Sequence, residues 1–448
     1  MIMGLKCRVI FEAYEESDGK VHSRDELVDV DIKRPDTIDE IGLDYESQVA
    51  LLQSTLDKII ELQGPLINKY RDCPRCGKEV TKKGKTTCEV HAMSTEHKIE
   101  FQKYRCPHCD WTSSESIRAI YGTDVHTSLT KIQAELGSSY SFRKVVSILK
   151  MLSLDKKRPV NNKERIKRVV TAVGNSIEEY NLLDFEELTN GVLNLIVHVD
   201  GAHVSTQEKE KRSFEAMTGT IFRPEDVKPI NDHENIIEHK TVVASAKEDH
   251  QESMKKMLIN AAKRAGMTTS STKVTGLSDG ATNCKSVLSA LSKHCNKLET
   301  ILDWFHISMK FQNIPTLSKE EQKALESAKW KLWHGQAQDC FDKLTAVISK
   351  IQDNKTKQKL QKLLEYLVNN EDILVNYEEK KANNLPFTSN IAESTVENLV
   401  NSRYRQTGKM KWSRTGAHSL LQVRAASYSN MLNQLWSYVF SKPLKIMA

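Results

Sequence analysis

Asp200, Asp279 and Glu393 are the residues of this chain with the plainest chemical potential. Asp200 closes the apolar run Asn194-Leu-Ile-Val-His-Val-Asp200 and leads into Gly201-Ala202-His203. Asp279 closes Lys273-Val-Thr-Gly-Leu-Ser-Asp279 and leads into Gly280-Ala281, 79 positions later. Glu393 lies in Thr388-Ser-Asn-Ile-Ala-Glu-Ser394, at the start of a helical pattern. A strand ending in Asp-Gly projects a carboxylate from a sheet rim and leaves the backbone open to a ligand. Carboxylates gathered from distant segments can hold two hard divalent cations ~3.5–4 Å apart and run phosphoryl transfer.

Those acids need a frame, and the pattern of the chain supplies one. From residue 192 strands and helices alternate: strand 193–199, strand 240–246, helix 250–264, strand 273–278, helix 282–294 and a short strand over 301–306, as in an open α/β sheet. Residues 318–382 read as helix throughout, and 391–438 as helix, basic loop and helix. Upstream, Cys7–Phe11 and Leu27–Ile32 alternate as the strands of a hairpin turned at Ser17-Asp18-Gly19. Residues 44–63 form an amphipathic helix with Val49, Leu52, Leu56, Ile59 and Ile60 on one face. No internal repeat or low-complexity segment is present.

A second chemistry is written in cysteine. Cys73-Pro-Arg-Cys76 and Cys106-Pro-His-Cys109 are two CPxC pairs with 29 residues between them. Four thiolates on two tight knuckles give the tetrahedral shell of structural zinc, and the intervening strands 85–90 and 99–104 suit a zinc ribbon. Cys88, His91 and His108 have ligand-like placing but are expected to be bystanders.

With 448 residues the chain is expected to form two to four domains, and its 39% hydrophobic residues suffice for packed cores. The formal net charge of +6 hides asymmetry: residues 12–46 carry thirteen acidic and four basic side chains. Basic residues gather in two other places. Thr127–Leu136, Gly137 and Ser141–Leu149 resemble a helix-turn-helix, with Thr127 or Ser128 capping the first helix, Gly137 ending it and Ser141 capping the second. Arg143 and Lys144 then fall where such motifs meet DNA, beside Lys163, Arg165, Lys167 and Arg168. Arg403, Arg405, Lys409, Lys411 and Arg414, interleaved with Tyr404 and Trp412, suit a surface that tracks a nucleic-acid backbone and stacks bases. Trp304, Phe305, Trp330 and Trp333 are expected in the core; base stacking is the other reading of Trp330 and Trp333. The first residues lack a basic start followed by a long apolar stretch, and no run approaches the ~18 apolar residues of a membrane span. A soluble intracellular protein with no membrane partner is expected, its nine cysteines thiols or metal ligands.

The residues also carry a family resemblance. Asp200-Gly-Ala-His, Leu277-Ser-Asp-Gly-Ala281, Asp303-Trp-Phe-His306-Ile307, Glu393-Ser394, Lys409-Met-Lys-Trp412-Ser413 and Gly416-Ala-His-Ser-Leu-Leu421 look like a DDE transposase of a bacterial insertion sequence. The pattern is nearest the ISKra-type elements, related to the ISL-type and Mutator-like enzymes, and covers about residues 70–430. It implies a ribonuclease H-like catalytic domain (191–314 and 386–440) with a helical insertion (315–385); together with the elements read from the residues themselves, a hairpin and helix (1–70) that the resemblance does not reach, a zinc ribbon (71–112) and a helical DNA-binding region (113–190), a multidomain α/β protein is expected. The resemblance implies Asp200, Asp279 and Glu393 as a triad binding two Mg²⁺ or Mn²⁺ ions. Asp303 and His306 match the family's Cys/Asp-x-x-His element beside the active site. Its partners would be the terminal inverted repeats and target DNA, its state a homodimer or higher oligomer, and its place the bacterial cytoplasm on the nucleoid. Three alternatives stay open: Glu397 as third carboxylate, Asp303 as a metal ligand, and His306 as a phosphate contact rather than a partner of Asp303. Two other classes compete. A zinc-containing DNA-binding regulator needs no acids, and a carboxylate glycoside hydrolase needs aromatic platforms that a 6% aromatic content supplies poorly.

Overall fold

A computed structural model describes residues 5–153, 158–229, 235–315, 318–389, 397–405, 410–442, 444 and 446. Two compact units emerge, 1–172 with 439–448, and 173–438.

The first unit begins with strands β1 (Leu5–Tyr14) and β2 (Val21–Ile32), an antiparallel hairpin in the expected place. Helix α1 (Tyr45–Gln63) follows, N-capped by Asp44 accepting from the Ser47 N–H at 2.7 Å. Strands β3 (Thr81–His91) and β4 (Glu96–Arg105) form a second hairpin, longer than the sequence pattern delimits. Then come α2 (Ile117–Tyr121), α3 (Thr127–Ser139), α4 (Phe142–Met151) and the start of α5 (Lys163–Leu182). Ser141 caps α4 as expected, accepting from Lys144 N. Gly137 does not end α3. It lies inside the helix, buried where a Cβ would sit 2.6 Å from Val170 Cγ2 of α5. The division between the two units falls within α5, between residues 172 and 173.

The second unit is mixed α/β. Its sheet holds β5 (Asn194–Ser205), β6 (Ser213–Phe222), β9 (Thr241–Ser245), β10 (Lys273–Ser278) and β11 (Lys297–Leu302) in the order β11-β10-β5-β6-β9. The first strand is central: β10 runs parallel to it on one side, β6 antiparallel on the other. Two short strands, β7 (Val227–Pro229) and β8 (Asn235–Ile237), pair apart from this sheet. One face, through Leu195, Val197, Val199, Met217 and Val274, packs against α6 (Glu252–Arg264) and α7 (Thr282–Ser289). Another core joins Ile196, Leu277, Ile301 and Leu302 to α8 (Trp304–Gln312) and to the helices expected over 318–382. These are α9 (Lys319–Trp333), α10 (Ala337–Lys350), α11 (Asn354–Val368) and α12 (Tyr377–Ala382). A π-helical turn (Glu397–Asn401), α13 (Arg414–Tyr428) and α14 (Leu432–Val439) complete the fold. Among the described residues no helix is long and apolar enough to cross a membrane.

The structure departs from the expected short strand at 301–306. The strand stops at Leu302, and Asp303 N-caps α8 by accepting from Phe305 N at 3.1 Å. Leu302-Asp-Trp-Phe-His is too short and apolar for periodicity to separate strand from helix, and the capping aspartate decides it.

Candidate active site and metal centre

The register of the sheet places three aspartates in a row. Ser278 of β10 pairs with Val199 of β5 on one side and with Leu302 of β11 on the other. Asp200, Asp279 and Asp303 are each the next residue, so they occupy equivalent positions one step beyond the last paired rung of three adjacent parallel strands. Neighbouring strands lie ~4.8 Å apart, which sets the scale of their separation. Asp200 is not the end of its strand, as the sequence pattern had it. The parallel ladder stops at Val199, but β5 continues to Ser205 against β6, with Asp200 opposite Thr218.

Asp200 is 7% exposed. Burial pushes its pKa up, the neighbouring Asp279 and Asp303 charges push the same way, and the His306 charge and the Gly201 N–H pull it down; the net result lies above the ordinary carboxylate value. Its Oδ1 accepts from Gly201 N at 2.7 Å, and Asp279 Oδ1 from Ala281 N at 2.9 Å. The Glu215 carboxylate lies over Gly201, with Oε1 2.5 Å from where a Cβ would be. Glu215, on β6, is a further carboxylate at this rim, held by Asn283 Nδ2 at 2.8 Å. The thiol of buried Cys284 beneath is pushed far up, first by burial and then by Asp279, Asp200 and Glu215.

Asp303 is fully buried and meets four donors. Phe305 N and Ser389 N reach Oδ1 at 3.1 and 2.7 Å, while Ser389 Oγ and His306 Nδ1 reach Oδ2 at 2.5 and 2.7 Å. Burial alone would raise its pKa, but the bonds from His306 and Ser389 outweigh that and hold it below the usual range. Asp303 thus fixes His306 in the first turn of α8 and ties down Ser389. Glu393 lies outside the described residues. Glu397 is exposed and accepts from Asn401 Nδ2 at 2.6 Å.

Helices α11 and α12 contribute residues that the sequence pattern did not single out. Tyr366 donates to Asp279 O at 2.8 Å, and buried Tyr377 to Leu302 O at 2.8 Å. Trp333 and Trp304 pack with Tyr377 and Phe387 as core residues, and Phe305 is half-buried against the His306 ring. Trp330, also expected in the core, is 55% exposed.

The basic segment after residue 402 differs from the backbone-tracking surface expected of it. Arg403 and Tyr404 are each 1% exposed. The Arg403 guanidinium lies 5.0 Å from the Trp412 ring centre, and Tyr404 lies 4.9 Å from the same ring and donates to Ala417 O. Trp412 is therefore a packing partner, pinned where its backbone N–H meets Ser205 O at the end of β5. Arg414 is engaged with Glu208 and Glu248. Arg405 and Lys411 are exposed, and Lys409 lies outside the described residues. In the first unit Arg143, Lys144, Lys163 and Lys167 are exposed, whereas Arg165 and Arg168 are half-buried.

The first unit holds the cysteine cluster. The sulfurs of Cys73, Cys76, Cys106 and Cys109 all lie within 4.8 Å of one another, with Cys73–Cys109 at 3.6 Å and Cys76–Cys106 at 3.5 Å. A tetrahedron with metal–sulfur bonds of ~2.3 Å has edges of ~3.8 Å, so the set could hold a metal such as zinc. At Cys106 burial pushes the thiol up, but the His108 and Cys109 N–H groups pull it down to about 7. Cys88 turns to Glu115 O and His91 to Glu96, and neither belongs to the cluster; nor does exposed His108.

No curated protein matches the chain. A family model covers residues 127–436, from α3 to α14 and well over half of the sequence, leaving the cysteine cluster outside it. The chain belongs to the uncharacterised protein family UPF0236.

Proposed function

We propose that the protein is a DDE-type DNA transposase, which binds double-stranded transposon ends, cleaves them and transfers the strands by metal-dependent phosphoryl transfer. The observation that carries this reading is the register: Asp200 and Asp279 are level with each other, one step beyond the parallel ladder that joins β5 to β10, and the Asp279 charge opposes the ionisation of Asp200. The mixed sheet with its first strand central, followed by a helical insertion, supports a ribonuclease H-like catalytic domain. Ser389, the last described residue before Glu393, bonds to Asp303 through both N–H and hydroxyl, which supports Glu393 over the exposed Glu397 as third acid.

The donor set fits hard divalent cations. Crowded carboxylates, one with a raised pKa, are a charge cluster that a cation relieves. Asp200, Asp279 and Glu393 would hold Mg²⁺ or Mn²⁺, which supply an activated hydroxyl nucleophile and stabilisation of the leaving 3′-oxygen. Asp303 has a different part: its four acceptor sites are taken by four donors, so it orients His306 instead of binding a cation. His306, whose charge acts on Asp200, would meet a phosphate oxygen. Arg143, Lys144, Lys163 and Lys167 would track the phosphates of the duplex, the four-cysteine module would be a zinc ribbon, and a homo-oligomer would bring two ends together on the nucleoid.

The test is nicking of a duplex bearing the inverted repeats that flank the reading frame, with Mg²⁺ or Mn²⁺. Asp200→Asn and Asp279→Asn are expected to lose activity at least about a hundredfold, since even support groups of a metal site cost 10–100-fold when removed, while binding the same DNA. A wild-type protein that binds these ends and never cuts them is a regulator, and the proposal fails.

A further inference from the structure

On the reading just given, Asp279 needs a fixed direction, and the strand cannot supply it: β10 ends at Ser278, and the next two residues form a turn with Gly280 at φ +85°. Ala281 N holds one carboxylate oxygen locally, and further support comes from α11 and from Asn370 just beyond it. Tyr366 donates its phenol proton to the Asp279 carbonyl at 2.8 Å. One turn on, Asn370 is 4% exposed and donates Nδ2 to the Tyr366 backbone carbonyl at 2.8 Å, which ties it to the turn that carries the phenol. Asn370 Oδ1 accepts no hydrogen bond among the described residues and stands 2.6 Å from where a Cβ on Gly280 would be. Buried acceptors are rarely left unpaired without a reason. Gly280 is thus required twice, by its backbone angle and by the closeness of Asn370. The ring of Tyr366 is in turn covered by Lys310 Nζ at 4.2 Å.

We infer that Tyr366 and Asn370 are positioning residues that aim the Asp279 carboxylate at a divalent cation, so that the helical insertion sets the cation affinity of the site. The sheet offers its own control. Tyr377 makes the same bond, hydroxyl to carbonyl at 2.8 Å, with Leu302 on the next strand. The residue after Leu302 is Asp303, which is saturated by its own donors.

The experiment is Mn²⁺ binding to the full chain with its cysteine site loaded, read as the loss of the free-ion signal in electron paramagnetic resonance. Wild type, Tyr366→Phe, Tyr377→Phe, Asn370→Ala and Asp200→Asn are compared. Tyr366→Phe and Asn370→Ala are expected to weaken Mn²⁺ binding about tenfold, in the range known for support residues of metal sites. Nicking by Tyr366→Phe should then be restored by saturating Mn²⁺. Tyr377→Phe is expected to bind Mn²⁺ as wild type does, even where its thermal midpoint falls. Equal Mn²⁺ affinity in Tyr366→Phe and wild type overturns the inference and leaves the transposase reading standing. So does an equal loss in both tyrosine variants, which marks general loosening. Mn²⁺ binding that ignores Asp200→Asn removes the cation site itself, and both proposals go with it.

Discussion

At the scale of single residues, the pH dependence of the site follows from which way each acid is pushed. Asp200 is raised, so in the interval above the ordinary carboxylate pKa the folded chain holds a proton that the unfolded chain has lost. Stability from this group is full below the ordinary value and is lost as pH rises through the folded one. Asp303 is lowered and has the opposite sign: its contribution is present above the ordinary value and is lost as pH falls through the folded one. A cation at Asp200 competes with that proton. Mn²⁺ affinity, titrated upward from the ordinary carboxylate value, should therefore climb until Asp200 is ionised and then level off, and Asp200→Asn should flatten the climb. Much of this row was legible, since Asp200, Asp279 and Asp303 each follow a short apolar run. What distinguishes them was not. Asp303 is saturated by Ser389, which is 86 residues away. Glu215 reaches the rim from β6, with its carboxylate lying over Gly201 of the neighbouring strand. Such contacts are tertiary and leave no spacing to read.

Among elements, the sequence located most helices and the strands that hold the aspartates, and it missed β6 altogether. Ser213–Phe222 mixes Gly, Thr and Met with apolar residues and has no clean alternation, because its central residues are buried on both faces. Without β6, Asp200 looked like a strand end. Gly137 was misread for a related reason: a glycine near the end of a helical pattern serves either as a stop or as a gap for a neighbouring helix. Here it is the gap. An alanine at 137 would gain ~1 kcal/mol of helix propensity. It would also drive a Cβ to 2.6 Å from Val170 Cγ2 and 3.1 Å from Ile166 Cγ2, both on stiff branched side chains. Overpacking of that kind costs ~1–3 kcal/mol, so Gly137→Ala should lower the urea midpoint, by ~1 kcal/mol net. A rise in the midpoint would show that α3 and α5 can separate freely.

Over the whole molecule, the two units differ in what holds them. The second has two large cores on its sheet, built from dozens of buried side chains. The cysteine module in the first relies on a far smaller cluster, Ile99, Phe101 and Ile117 with Ile60, Ile67, Cys88 and Val90 packed against it. A core of that size falls short of holding two knuckles and a hairpin, and small modules of this kind draw their remaining stability from metal. The paired CPxC motifs made this legible, because four thiols at such spacing have few other uses; that the family match begins at residue 127 and excludes the module was not legible at all. The expected outcome is a split response to chelation. Stripped of metal, the full chain should become open to protease between residues 71 and 112, while fragments spanning 173–438 persist as they do in the untreated protein. Cys106→Ser should copy the effect without chelator, because it removes the fully buried thiol at the centre of the second knuckle. Restoring one equivalent of Zn²⁺ should close the segment again in wild type and leave the variant open. Limited proteolysis read by mass spectrometry decides it: if 71–112 stays protected after the metal is gone, the hairpin stands on its own packing and the four sulfurs are not its support.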